Sequence, residues 1–263
     1  MNLKNFIVKA NEIIKNPQDI APYVVKNSCK IRGIRVDREK FLRRELSKYY
    51  KNNPEIIDRV IDTDPCCAGV PIKLINKIAD NCINYEKLRT TICAAGLGLP
   101  GAVSGPAIAG IIISDLAQYH VYLMRIMQKL LYLYGYPEIN NVEDEIDDET
   151  KTKLIVFLGV MYGVNGASNL LTAGVKIYSE NLTKQVLTKA NWYPIVQQLC
   201  QTIGIKATKE GIAKKIGGKI VPVIGAAVNG TLTNQAFKWQ ANKLKNYLIG
   251  FYGKEFLLTD DLS

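Results

Sequence analysis

Residues Thr90–Ser114, TTICAAGLGLPGAVSGPAIAGIIIS, run 25 positions without a charged side chain and stop at Asp115. The stretch is long enough to cross a bilayer. It also holds five glycines and two prolines, and GLGLPG sets Gly96, Gly98 and Gly101 at the G-x-G-x-x-G spacing of a dinucleotide fold. Three readings compete: a membrane span, a nucleotide loop, or a turn feeding a helix inside a tightly packed core. The nucleotide reading fails on context. That fingerprint needs a preceding strand, a following helix and an acid about 20 residues on, within a parallel sheet. Here Pro100 interrupts the motif, the surroundings have a helical period, and the first acid, Asp115, falls inside a helix.

Working outward, nearly every long segment repeats at the helical period, and no Asn-Gly hairpin separates alternating runs. Residues 2–16 read as a short amphipathic helix, and 30–36 as an extended connector. Asp37 caps a helix, REKFLRRELSKYY, and Asn53-Pro54 opens the next. Asp64–Pro71 is a turn, and 72–95 reads as two short helices. From Ala107 to Tyr134 runs the clearest helix. Its seam is Ile112, Leu116, Tyr119, Leu123, Ile126, Leu130 and Leu133; a polar row, Asp115, Gln118, Tyr122, Arg125 and Lys129, follows the same steps. Gly135-Tyr136-Pro137 stops it. Residues 138–150 form an acidic connector, Lys151–Tyr178 one further helix, 180–190 and 194–205 shorter ones, and Pro222 starts a last helix to about Tyr247.

Two sister stretches, Leu154–Val175 and Ile220–Phe237, are also uncharged. Gly101, Gly105 and Ala109 form a small-residue row, as do Gly159 and Gly163, and such rows allow close helix packing in lipid or in a core. Asn165, Ser168, Asn169 and Thr172 in one sister, and Asn229, Thr231, Thr233 and Asn234 in the other, weigh against spanning, as do Pro100 and Pro106.

The chain of 263 residues carries a net charge of +10, unevenly placed. Residues 1–90 hold 18 basic and 11 acidic side chains, residues 91–150 hold 2 and 8, and residues 151–263 hold 14 and 5. Such a basic surface favours an anionic partner. Residues 30–51 alone hold nine basic and three acidic side chains. On the helix after Asp37, Phe41, Leu42, Leu46 and Tyr49 line one side, flanked by Arg38, Lys40, Arg43, Arg44 and Lys48; these five are the candidate anionic-lipid contacts. The same pattern fits an apolar side in the core beneath a solvated face. Nucleic acid is disfavoured, because no helix-turn-helix spacing, zinc pair or aromatic RNA-binding motif accompanies the charge.

No constellation names a reaction. The six cysteines contain no C-x-x-C and His120 is the single histidine, so no metal or cofactor is expected, and the cysteines read as reduced thiols behind a chain start without a secretory signal. Gly217-Gly218-Lys219 is followed by Ile220, which excludes a P-loop, and Ser104 in GAVSG is not a nucleophile elbow. The acids at 143–149 lack the calcium-loop spacing. Asp115, ending the longest uncharged run, and Gln118 mark a candidate cleft.

The block AAGLGLPGA followed by ISDLAQYHVYLMRIMQKLLYLYGYP resembles the bacterial EcsC family, and FLGVMYGVNGASNLL (157–171) and KIGGKIVPVIGAAVNGTLTNQAF (215–237) fit in the same order. The resemblance covers about residues 30–250. It implies a bacterial helical protein, cytoplasmic or membrane-associated, and no catalytic residue. Asp115, Gln118, Gly135 and Pro222 match the family pattern without assigned roles.

The expected fold is all-α, a single multi-helix bundle over residues 1–263 with long glycine-rich central helices. It comprises a basic helical region 1–90 and a core 91–250 that includes the acidic connector 138–150. The expected function is non-enzymatic: peripheral association with the inner face of the cell membrane through the basic amphipathic surface. Two alternatives remain open, a soluble ligand-binding protein or enzyme with a pocket between the helices starting near Gly105 and Pro222, and an integral pore-like protein.

Overall fold

The structure, a computed structural model, describes residues 35–97, 105–138, 148–175, 194–195, 197–199, 202 and 230–252. Among the described residues every regular element is a helix, and the protein is all-α as its periodicity predicts. The helices are α1 (Arg38–Leu46), α2 (Pro54–Asp62), α3 (Ile72–Leu97), α4 (Gly105–Leu133), α5 (Asp148–Tyr162), α6 (Ala167–Val175) and α7 (Gly230–Ile249). Helices α3, α4 and α7 pack pairwise against one another; α1 rests on α4 and carries α2, while α5 packs on α7 and carries α6.

Local chemistry explains the ends. Asp37 caps α1, its carboxylate accepting the Lys40 N–H at 2.9 Å. Pro54 opens α2, where its missing N–H costs nothing. In the turn that follows, the Asp64 carboxylate accepts the N–H groups of Cys66 and Cys67 at 2.7 and 3.1 Å.

Two sequence expectations are corrected. Residues 72–95 form one helix rather than two: α3 runs 26 residues, and no proline interrupts it. Conversely, the helix expected over Lys151–Tyr178 breaks after Tyr162. Gly163 and Gly166 adopt φ of +71° and +81°, a left-handed backbone that favours glycine, so α5 ends and α6 begins anew. The expected helices at 2–16 and 180–190, and Pro222, lie outside the described residues.

The core explains the apolar stretches. Leu154, Val156, Phe157, Leu158, Val160, Met161 and Tyr162 of α5 are all buried, as are Leu123, Met124, Ile126, Met127, Leu130 and Leu131 of α4. A helix apolar all round is one with neighbours all round. Among the described residues no helix is long and apolar enough to cross a membrane.

Candidate functional site

The site is built on α3, whose two faces differ sharply. Ile75, Ile78, Ala79, Cys82, Ile83, Glu86 and Thr90 recur at steps of three and four, and all are buried. Glu86 therefore occupies a core position and is wholly buried. A carboxylate there requires cations. The polar row of α4 provides them: Lys129 Nζ lies 2.5 Å and Arg125 Nε 3.5 Å from the same oxygen, Oε1. The other oxygen, Oε2, is buried without a hydrogen-bond partner.

Aromatic rings enclose these cations. Lys129 Nζ lies 5.8 Å from the centroid of Phe41 on α1 and 5.4 Å from that of Tyr85. The Arg89 guanidinium lies 5.8 Å from the Tyr85 ring and 5.7 Å from the Tyr122 ring, so it sits between a ring of α3 and a ring of α4. The result is a gradient of exposure, with Glu86 and Lys129 sealed inside, Arg125 half-buried and Arg89 exposed.

The outer face of α3 carries Lys73, Lys77, Tyr85, Leu88 and Arg89. Tyr85 and Leu88 are each 56% exposed, unusual for large apolar side chains, and Tyr49 next to Lys77 is also exposed. Asp80 on this helix is paired with Lys245 of α7 at 2.6 Å. Lys73, Lys77 and Arg89 make no ion pair among the described residues.

Helix α1 is different from its sequence expectation. Arg38 is buried: its guanidinium donates to the carbonyls of Val60, Ile61 and Thr63 at 3.3, 2.9 and 2.8 Å, closing the C-terminal end of α2. It is no surface contact, which corrects its place among the lipid candidates. The other four are exposed but matched by carboxylates: Lys40 by Asp37, Arg43 by Glu39 and Asp58, and Arg44 and Lys48 by Glu45. Hydrogen bonding to Glu39 and Asp58 raises the Arg43 pKa. Burial pushes the Glu45 carboxyl up, but the bonds from Lys48 and Arg44 outweigh it and hold it below its ordinary value. The apolar side, Phe41, Leu42 and Leu46, faces the core, each side chain contributing about 1.5–3 kcal/mol by burial. Helix α1 thus takes the plainer of the two readings its pattern allowed.

A second polar group lies inside the bundle. His120 of α4 is fully buried, with Nε2 2.8 Å from the hydroxyl of Tyr162 on α5. The Tyr119 hydroxyl donates to Gln240 Oε1 on α7, and Tyr162 also bonds to Gln240. Burial raises the pKa of both tyrosines far above neutrality, so they remain hydroxyl donors. The group fastens α4, α5 and α7 together. Among the described residues no group of three or more His, Cys, Asp or Glu side chains could hold a metal ion.

Of the remaining expectations, Asp115 and Gln118 lie on α4, but their side chains are outside the described residues, as is Gly101; Gly105 opens α4. Gly159 is a close-packing position: a Cβ there would meet Ile195 Cγ2 at 2.9 Å and the Ala167 Cβ at 3.0 Å. Gly163 instead ends α5. The pocket expected near Gly105 and Pro222 falls outside the described residues. No protein-family model, curated protein or solved structure matches the chain.

Sequence reading passed over Glu86, Arg89, Tyr85 and Leu88. The register from Ile75 to Thr90 points to them, because it makes Glu86 the one acid on the apolar stripe of α3 and leaves Tyr85 and Leu88 off it.

Proposed function

We propose that the protein is a non-enzymatic helical protein that associates peripherally with an anionic membrane face, as at the inner surface of a bacterial cell membrane, and that it makes contact through the outer face of α3. The observation that carries this reading is the exposure of Tyr85 and Leu88 among Lys73, Lys77 and Arg89, cations without an ion pair among the described residues. Apolar and aromatic side chains enter the interface while bases meet headgroups. The exposed bases of α1 and Lys48 are paired with Asp37, Glu39, Glu45 and, from α2, Asp58, so α1 is the lesser contributor. The resemblance to the EcsC family, with its implied helical and membrane-associated character, is in keeping with this reading.

Vesicle flotation across a salt series tests it. Each base near an anionic leaflet contributes about 1 kcal/mol, so K73E, K77E and R89E together are expected to weaken binding to phosphatidylglycerol vesicles by at least about a hundredfold. Charge reversal at Lys40 and Arg44 is expected to have a much smaller effect. Retention of all the protein in the soluble fraction at low salt would overturn the reading.

A further inference from the structure

We infer that Arg89, held between Tyr85 and Tyr122 at the outer edge of the α3–α4 seam, binds a phosphate monoester, so that the membrane contact proposed above, on which this inference rests, is selective for headgroups ending in a monoester.

The geometry of Arg89 comes first. Its guanidinium lies 5.8 and 5.7 Å from two ring centroids contributed by different helices. A guanidinium against aromatic faces keeps its N–H edges for hydrogen bonding and loses little freedom when an oxyanion arrives. A lysine at this position would keep the charge and lose the fork.

The charge around it comes second. Arg89, Arg125 and Lys129 gather about Tyr85 and Glu86, and Glu86 Oε1 accepts Lys129 and lies 3.5 Å from Arg125 Nε. The sealed Glu86–Lys129 pair is neutral as a unit, and Arg89 is an exposed cation at the outer edge of the seam. A monoester carries between one and two negative charges at neutral pH and three terminal oxygens, and it fits a guanidinium fork bidentately. A lipid phosphodiester can also meet the fork with its two free oxygens, but it brings a single charge, so the monoester is held more tightly.

The surroundings come third. Leu88 and Tyr85, both exposed, flank Arg89 on the same stretch of helix. Their burial among acyl chains would set Arg89 at the depth of the phosphate closest to the glycerol backbone, which in phosphatidic acid is the monoester itself. The same chemistry also occurs in soluble phosphomonoesters, and the experiment separates the two sources.

Wild-type protein, R89A and R89K are compared on vesicles containing phosphatidic acid or phosphatidylglycerol at matched surface charge, and by titration with glycerol 3-phosphate followed by protein NMR. Arg89 is exposed, so both variants are expected to unfold at the wild-type temperature. Wild type is expected to prefer phosphatidic acid by about tenfold, the worth of the monoester's additional charge at the fork, and R89A is expected to lose that preference, with R89K, a point charge without the fork, keeping only part of it. Equal binding of the two lipids by wild type, or a preference that survives in R89A, overturns the inference and leaves the general membrane reading standing. If no anionic vesicle binds, the membrane reading falls; saturable shifts from glycerol 3-phosphate in wild type, absent in R89A, then support a site for a soluble monoester, and no shifts overturn the site as well.

Discussion

Glu86 on α3 and Lys129 on α4 form a 2.5 Å ion pair that water does not reach, between two packed helices. Such a pair sets register more clearly than it adds stability, because desolvation offsets most of the attraction. Removing one partner is a different matter. Glu86→Leu leaves Lys129 buried without its carboxylate and is expected to cost about 3–5 kcal/mol; Lys129→Met is expected to cost less, because Arg125 stays 3.5 Å from Glu86, and the double variant recovers part of the larger loss because two apolar side chains suit the same space. Urea unfolding of the four proteins in a double-mutant cycle checks this. Strictly additive single losses would show that the pair does not act as a unit.

Arg38 and Arg44 lie on the same short helix and are expected to behave oppositely. Arg38→Ala removes three hydrogen bonds to carbonyls at the end of α2 and leaves those acceptors without a donor, at a cost of about 2–4 kcal/mol. Arg38→Lys is expected to rescue little, since one ammonium cannot span the carbonyls that the guanidinium spans. Arg44→Ala removes one of two bases on the buried Glu45 carboxylate, which keeps Lys48, and should lower the melting temperature much less. A thermal scan of the three variants decides, and equal losses at Arg38 and Arg44 would refute the distinction.

Asp37 gives the protein an acid-sensitive cap. The Lys40 backbone N–H, followed by the Lys40 side chain, holds its pKa below the ordinary value of 3.8. A carboxyl with a lowered folded pKa contributes stability that is fully present above the unfolded value and is lost as pH falls through the folded one. The contribution of Asp37 should therefore disappear below about pH 4. Asp37→Asn keeps a capping oxygen and removes the titration, so it should flatten the acid limb of the stability profile at little cost near neutrality. Asp37→Ala should cost about 1 kcal/mol near neutrality. Urea midpoints measured across the acid range for the three proteins test the sign; an acid limb unchanged in Asp37→Asn would show that another carboxyl governs it.

The sequence made the helices legible wherever a cap or a stop had its own chemistry, as at Asp37, Pro54 and Gly135. Continuity was less so. Nothing between Ile72 and Leu97 forces a break, yet its mixture of polar and apolar residues resembles two shorter pieces; Gly163 looks like the second member of a small-residue row with Gly159 but, with Gly166, turns the chain. Charge alone does not show which bases are paired. The bases of α1 are more densely spaced in the sequence than those of α3, but Asp58 on α2 and Glu45 on the same helix pair with them, and such pairings become visible only after folding. The row of Tyr122, Arg125 and Lys129 was readable as polar, whereas its partner Glu86 required the register of a second helix.

Gly159 tests the close packing that the small-residue pattern suggested. The added methyl of Gly159→Ala would meet Ile195 Cγ2 at 2.9 Å and the Ala167 Cβ at 3.0 Å. Ile195 can give by rotating, but Ala167 has no rotamer to change, and α6 would have to move away from α5. Alanine favours the helix over glycine by about 1 kcal/mol, and overpacking opposes it by about 1–3 kcal/mol, so the net expectation is a loss. Pairing the change with Ile195→Val relieves one of the two contacts and should recover part of that loss. Chemical denaturation of the single and double variants measures both. A Gly159→Ala protein more stable than wild type would mean that the α5–α6 contact is looser than the structure shows.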